Sequence, residues 1–96
     1  MAKGETLLVA KILKALRQEG AKAIKTHPAG VEVGTPDIIG CISGRMFALE
    51  VKDPQGRHPL SAIQRHRLEE WAAAGAIVGV VESIEEALSS LRGEAR

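Results

Sequence analysis

The sequence predicts an α/β fold in which helices flank a mixed β-sheet. Three observations predict this class: an amphipathic segment comes first, two apolar segments joined by a turn signal follow, and a further apolar segment separates two helical patterns. A tight turn joins antiparallel strands, whereas a strand-helix-strand connection joins parallel ones. The 96 residues suit one domain, residues 1–96, with the order helix, three strands, helix, strand, helix.

The first helix is predicted over residues 5–19, because apolar residues recur there at spacings of three and four and Gly20 follows. Residues 21–26 form a short strand candidate. Residues 27–35 read as a loop, since they contain a proline and two glycines.

A β-hairpin is predicted next, from strands over residues 37–42 and 45–52. Ser43-Gly44 supplies the turn signal between them. Phe47, Leu49 and Val51 alternate with other residues along the second strand and are expected to point to one face.

The last third of the chain predicts a helix, a strand and a helix. Residues 60–74 form the helix, and its expected buried face is Ile63, Leu68, Trp71 and Ala72. Residues 76–81 are an uninterrupted apolar run, which is typical of a buried strand.

The final helix is predicted to start at Ser83, with Glu86 completing a capping box. Its expected apolar face consists of Ala87, Leu88 and Leu91.

Composition excludes several classes of protein. A single cysteine, Cys41, leaves no internal disulfide and no cysteine-built zinc site. No apolar stretch approaches the roughly 18 residues of a membrane span, and the N-terminus lacks a signal-peptide core. We therefore expect a soluble cytoplasmic protein with no membrane partner. A net charge of +1 neither indicates nor excludes nucleic-acid binding, because the placement of charge decides it.

The hairpin turn brings two carboxylates together. If Ser43-Gly44 is a two-residue turn, Ile42 faces Arg45 and Asp37 lies opposite Glu50, with Cβ atoms about 4.5–5.5 Å apart. Such close carboxylates repel each other, and a hard divalent cation would compensate. A turn at Gly44-Arg45 would shift this pairing.

The same end of the hairpin carries a lysine. Lys52 lies two residues after Glu50 and so points to the same face. Two acids and a lysine suit phosphodiester hydrolysis, in which a metal polarises the phosphate and activates water while the lysine offsets developing charge. The backbone carbonyl of Val51, between the two side chains, is a further candidate ligand.

These residues resemble a known nuclease signature. Gly34-Thr35-Pro36-Asp37 followed thirteen residues later by Glu50-Val51-Lys52 resembles the PD-(D/E)xK motif, and the continuation through Ser61 to Gln64 is most similar to the VRR-NUC branch, which is related to archaeal Holliday junction resolvases. The resemblance implies a restriction-endonuclease-like αβββαβ core with a C-terminal helix. It also implies dependence on Mg²⁺ or Mn²⁺, cleavage of structured DNA, and a homodimer.

The resemblance also implies roles for individual residues. Asp37, Glu50, Lys52 and Gln64 match catalytic positions, and Glu5, Asp37 and Glu50 match metal ligands, to which strand geometry adds the Val51 carbonyl. Two of these residues have another explanation: an acid at position 5 is favoured by the helix dipole, and Gln64 can close a capping box with Ser61.

A basic group consists of Arg57, His58, Arg65, His66 and Arg67, and it begins in the loop that leaves the strand beside Lys52. Within this group, Arg57, His58 and Arg65 are the expected DNA-contacting residues. The sequence does not decide whether the preferred DNA is a junction, a flap, a splayed arm or a duplex. The expected location is the cytoplasm of a bacterial or phage-infected cell. Two alternatives to a nuclease are a catalytically inactive module of the same fold that binds DNA or a partner, and an unrelated α/β domain.

Overall fold

A computed structural model describes residues 3–56 and 59–93. It begins with helix α1, Lys3–Gln18, whose buried positions Val9, Ile12, Leu13 and Leu16 recur at helical spacing. The predicted helix started two residues later and ended one residue later.

A four-stranded sheet follows. Its strands are β1 (Lys22–Lys25), β2 (Ile38–Ile42), β3 (Arg45–Val51) and β4 (Ile77–Val81), in the spatial order β1-β2-β3-β4. Strand β2 is antiparallel to both β1 and β3, and β3 is parallel to β4.

Two further helices complete the fold. Helix α2, Ala62–Ala73, connects β3 to β4, and α3, Ile84–Leu91, follows β4. The predicted mixed sheet with flanking helices is confirmed. The predicted loop before β2 contains one 3-10 turn, Pro28–Gly30. No helix among the described residues has the length and apolar character needed to span a bilayer.

The hairpin turn has the geometry that the sequence indicated. Ser43 and Gly44 both have positive φ, 50° and 81°, as a type I′ turn requires. Ile42 pairs with Arg45 and Ile38 with Leu49. The alternative turn at Gly44-Arg45 is therefore excluded, and the register continues to place Asp37 opposite Glu50.

Strand β3 is covered on both faces. Phe47, Leu49 and Val51 lie in the main core, which α1 and α3 close on one side of the sheet. Ala48 and Glu50 alternate with these residues, so they point to the other face, where α2 contacts β3 and β4. This burial of Glu50 under α2 positions the candidate site.

The predicted buried face of α2 is partly wrong. Only Leu68 is buried, while Ile63 and Ala72 are exposed and Trp71 is half-buried. The stripe of lower exposure runs through Gln64, Arg67, Leu68 and Trp71, at spacings of three and four. Two polar side chains therefore face inward, and the apolar pattern could not locate this face.

Strand β4 and the start of α3 also differ from expectation. The strand is not fully buried, because it lies at the sheet edge: Val80 is 44% exposed and only Val81 is buried. Ser83 Oγ accepts from the Glu86 amide as predicted, but the Glu86 carboxylate accepts from the amide of Glu82, one residue before the cap. The capping box is therefore only half formed.

Replacing Gly40 with alanine is expected to destabilise the fold. A Cβ at Gly40, on β2, would collide with the ring of Phe47 and with the backbone carbonyl of Lys22. Overpacking of this kind costs about 1–3 kcal/mol in the free energy of unfolding, measurable by urea denaturation. Gly4→Ala in α1 is the matched control, because a Cβ there meets nothing within 4 Å. Equal stability of the two variants would contradict the prediction.

Candidate active site

Asp37 lies at the junction of the loop and β2, and backbone contacts hold it there. The Thr26 amide donates to the Asp37 carbonyl at 2.9 Å, and Thr26 Oγ1 donates to the carbonyl of the buried Pro36 at 2.8 Å. The Asp37 carboxylate reaches across to β3, where Oδ2 accepts from the Val51 amide at 2.8 Å. The carboxylate is therefore docked at the end of β3.

Gly34 allows the loop before Asp37 to press against α2. Its φ is +86°, and a Cβ there would lie 3.0 Å from the backbone and side chain of Ile63. A side chain at this position would be strained and would push the loop away from the helix. Gly34 therefore allows the loop before Asp37 to pack directly against α2.

Glu50 and Lys52 lie at the end of β3 and are both buried, at 3% and 8% exposure. Lys52 Nζ lies 3.5 Å from Glu50 Oε2, so the two form an ion pair with little access to solvent. The Lys52 amide donates to the Val81 carbonyl of β4 at 2.9 Å, which extends the parallel pairing to this residue. Strand geometry thus places both side chains on the α2 face of the sheet.

Gln64 connects α2 to this ion pair. Its Oε1 accepts from Lys52 Nζ at 2.9 Å and from the Ser61 amide at 3.0 Å, and its Nε2 donates to Glu50 Oε2 at 3.1 Å. Ser61 Oγ accepts from the Gln64 amide, so the capping box is complete. The predicted capping box is therefore confirmed, and the same side chain contacts both Glu50 and Lys52. A catalytic role for Gln64 stays a prediction.

The second carboxylate oxygen of Glu50 is an anomaly in the site. Oε1 is buried and has no hydrogen-bond partner among the described residues. Burial raises the pKa of Glu50, the nearby Asp37 carboxylate raises it further, and Lys52 only partly opposes them, so the pKa rises from 4.5 to about 8. Among the described residues, Lys52 therefore does not fully offset the effects of burial and of Asp37 on this carboxylate.

The residues present fit a hard divalent cation. Among residues 3–56 and 59–93, no three histidine, cysteine or carboxylate side chains form a group that could hold a metal. Mg²⁺ commonly binds through only one or two carboxylates, together with waters and substrate phosphates. Asp37 and Glu50 provide that donor set, and the unpartnered Oε1 of Glu50 is an available oxygen.

Two further predicted ligands have other contacts. The buried Glu5 accepts through Oε2 from the Asp53 amide at 3.3 Å, a contact between the start of α1 and the segment after β3. Val51 contacts Asp37 through its amide, not its carbonyl. Metal ligation by Glu5 and by the Val51 carbonyl stays a prediction.

Of the three predicted DNA-contacting residues, the structure describes Arg65. Arg57 and His58 lie outside the described residues, and Arg65 is exposed on α2 next to Gln64. A cavity of about 470 Å³ opens beside Asp37 and Gln64, and Lys25 borders it. Lys25 was not among the predicted contacts, because nothing in its local sequence distinguishes it from other surface lysines.

The fold and the Asp37-Glu50-Lys52 arrangement define a nuclease-fold α/β domain. Comparisons with protein-family models and with curated proteins found no match. Solved structures do match. Two VRR_NUC domain structures are similar in fold, with TM-scores of 0.74 and 0.73 at 22% and 21% identity, covering 95% and 97% of this chain and 97% and 88% of theirs.

A third similar structure is that of Archaeoglobus fulgidus Hjc, a Holliday junction resolvase from an archaeal hyperthermophile. It is 30% identical, with a TM-score of 0.66, over 81% of this chain and 67% of that one. The chain belongs to the Holliday junction resolvase-like family of nuclease domains, and it shares its fold with VRR_NUC domains, as its motifs indicated.

Proposed function

We propose that this chain is an endodeoxyribonuclease that depends on Mg²⁺ or Mn²⁺. The observation that carries the proposal is the buried Oε1 of Glu50, which lies beside Asp37 and has no hydrogen-bond partner in the part of the chain that the structure describes. Without a cation the protein would be more stable with a neutral side chain at position 50, because the pairing with Lys52 only partly offsets the cost of a carboxylate that is buried beside Asp37. Asp37 and Glu50 would hold the metal, with Glu5 and the Val51 carbonyl as further candidate ligands.

The hydrolysis adds water to phosphorus and breaks one ester P–O bond, and the leaving oxygen takes up a proton. A bound cation would supply Lewis-acid activation of the phosphate and of the attacking water. Lys52 is held by Gln64 and Glu50 with its ammonium group at the site, where it would hydrogen-bond a phosphate oxygen as negative charge develops. Gln64 orients both Glu50 and Lys52, so the site is ordered before substrate arrives.

We further propose that the substrate is structured DNA such as a four-way junction, cut by a homodimer. The junction resolvase activity named for the Archaeoglobus fulgidus relative supports this. An apolar area on the α2 side of the sheet also supports a second copy: Met46 and Ile24 are 42% and 50% exposed, and Trp71 is half-buried. Two active sites related by a two-fold axis would match the symmetry of a junction. Arg57, His58 and Arg65 are the proposed backbone contacts.

Cleavage of labelled four-way junction, flap and linear duplex DNA tests the proposal. We expect cutting with Mg²⁺ or Mn²⁺, none with EDTA, and paired symmetric nicks in the junction. The activity should coelute in gel filtration with the protein at the size of a dimer. Junction binding without cutting in either metal would favour the inactive binding module instead. A monomer that makes paired cuts would exclude the dimer.

A further inference from the structure

Arg67, on the inward side of α2, takes no part in the proposed chemistry but joins three separate groups. Its Nε donates to the Val33 carbonyl at 3.0 Å, and one terminal nitrogen donates to Glu70 at 2.9 Å. The other terminal nitrogen lies 3.9 Å from the carboxylate of Glu32. The Arg67 side chain is only 18% exposed, although Glu32 is 73% exposed.

The charge of Arg67 is matched within the protein. Two carboxylates face it, and its hydrogen bond lowers the pKa of Glu70. The guanidinium is therefore paired with these carboxylates rather than available to bind a phosphate. A planar group with five donors is instead suited to hold several acceptors in one geometry, which a lysine cannot reproduce.

The backbone held by Arg67 leads directly to Asp37. The side chain of Val33 is 77% exposed, so the loop contacts α2 here through the bond from Arg67 to the Val33 carbonyl and through the close approach of Gly34 to Ile63. The next residues are stiff: the Thr35 amide and Oγ1 both donate to the Glu32 carbonyl, at 3.1 and 2.6 Å. Pro36 is buried immediately before Asp37. The Arg67 bond thus holds the loop on the α2 side, while the Thr26 contacts hold Pro36 and Asp37 on the β1 side.

We propose that Arg67 is a positioning residue that fixes Asp37 relative to Glu50 by fastening the loop at Val33 to α2. Gln64 lies one helical turn before Arg67 and orders Glu50 and Lys52. One helix thus sets the position of both halves of the site. The consequence for metal binding rests on the function proposed above, because two carboxylates hold a cation well only at a defined separation.

The Val51 amide reports the position of Asp37 without metal or DNA, because it donates to Asp37 Oδ2. Arg67→Met keeps an apolar stem and removes every donor. In EDTA, we expect this variant to lose the Val51 hydrogen bond, seen as an upfield shift and faster exchange of that amide by NMR. The Phe47 amide on the same strand should be unchanged, whereas general destabilisation would speed the exchange of both. Arg45→Met, an exposed arginine at the hairpin turn, is the matched control.

Calorimetry with Mn²⁺ in the absence of DNA gives the second measurement. We expect Arg67→Met to bind Mn²⁺ about 10–100-fold more weakly and Arg67→Lys to be intermediate. In cleavage, kcat should fall while KM for DNA stays constant. If Arg67→Met does not fold, the Val51 amide and the Mn²⁺ affinity are measured on Arg67→Lys instead.

Wild-type behaviour of the Arg67 variants at the Val51 amide and in Mn²⁺ affinity would overturn the inference. Weaker DNA binding with unchanged Val51 and Mn²⁺ results would also overturn it, since Arg67 would then be a phosphate contact. If the wild-type protein neither binds Mn²⁺ nor cuts DNA, the proposed function fails, and the Val51 comparison still decides the role of Arg67.

Discussion

Replacing Lys52 with methionine is expected to slow DNA cleavage about 10²- to 10³-fold, the usual cost of removing one donor that stabilises charge in a transition state. Methionine keeps most of the buried stem, so the β3 strand and its packing should survive. The change removes the ammonium that donates to Gln64 and pairs with Glu50. Cleavage under single-turnover conditions with saturating Mn²⁺ measures the chemical step.

A measurement of DNA affinity distinguishes this effect on the chemical step from weaker substrate binding. Junction binding measured in Ca²⁺ should be nearly unchanged in Lys52→Met, because the lysine is buried and contributes little to the surface charge that attracts DNA. Arg45→Met, which removes the same charge from an exposed position, should cut at the wild-type rate. A wild-type rate in Lys52→Met would show that the catalytic centre lies elsewhere.

Replacing Glu50 with glutamine is expected to stabilise the metal-free protein above neutral pH and to abolish cleavage. The folded-state pKa of Glu50 is about 8 and its ordinary value is 4.5. Between these values the folded protein holds a proton that the unfolded chain has released. The contribution of Glu50 to stability is therefore complete below pH 4.5 and is lost as the pH rises to about 8, at about 1.4 kcal/mol for each pH unit.

Urea unfolding in EDTA from pH 5 to 9 measures this effect. The free energy of unfolding of the wild type should fall across the range relative to that of Glu50→Gln, and Mn²⁺ should restore stability to the wild type only. Glu85→Gln, at an exposed acid on α3, should follow the wild type at every pH. A wild-type curve parallel to that of Glu50→Gln would refute both the raised pKa and the need for a cation.

The hairpin and most of its site were predictable because the determining interactions are local. The Ser43-Gly44 turn sets the register, and strand alternation then brings Asp37, Glu50 and Lys52 to one end of β3. The capping role of Gln64 was predictable because the capping box is a sequence pattern, and the family resemblance implied its place beside Glu50 and Lys52. The inward face of α2 was not predictable from the apolar pattern, which placed Ile63 and Ala72 inside, whereas Gln64 faces the sheet and Arg67 faces the loop before β2.

By itself the sequence determined the order of the elements, the hairpin register and the acid-acid-lysine set, because each depends on residues close together in the chain or on strand periodicity. Only the tertiary structure decided which contacts form over longer separations: Glu5 with the Asp53 amide, Arg67 with Val33, and the burial that leaves Glu50 Oε1 unpartnered. These depend on how α1 and α2 pack against the sheet. Packing also determines the charge state of Glu50, since burial is the largest cause of its raised pKa.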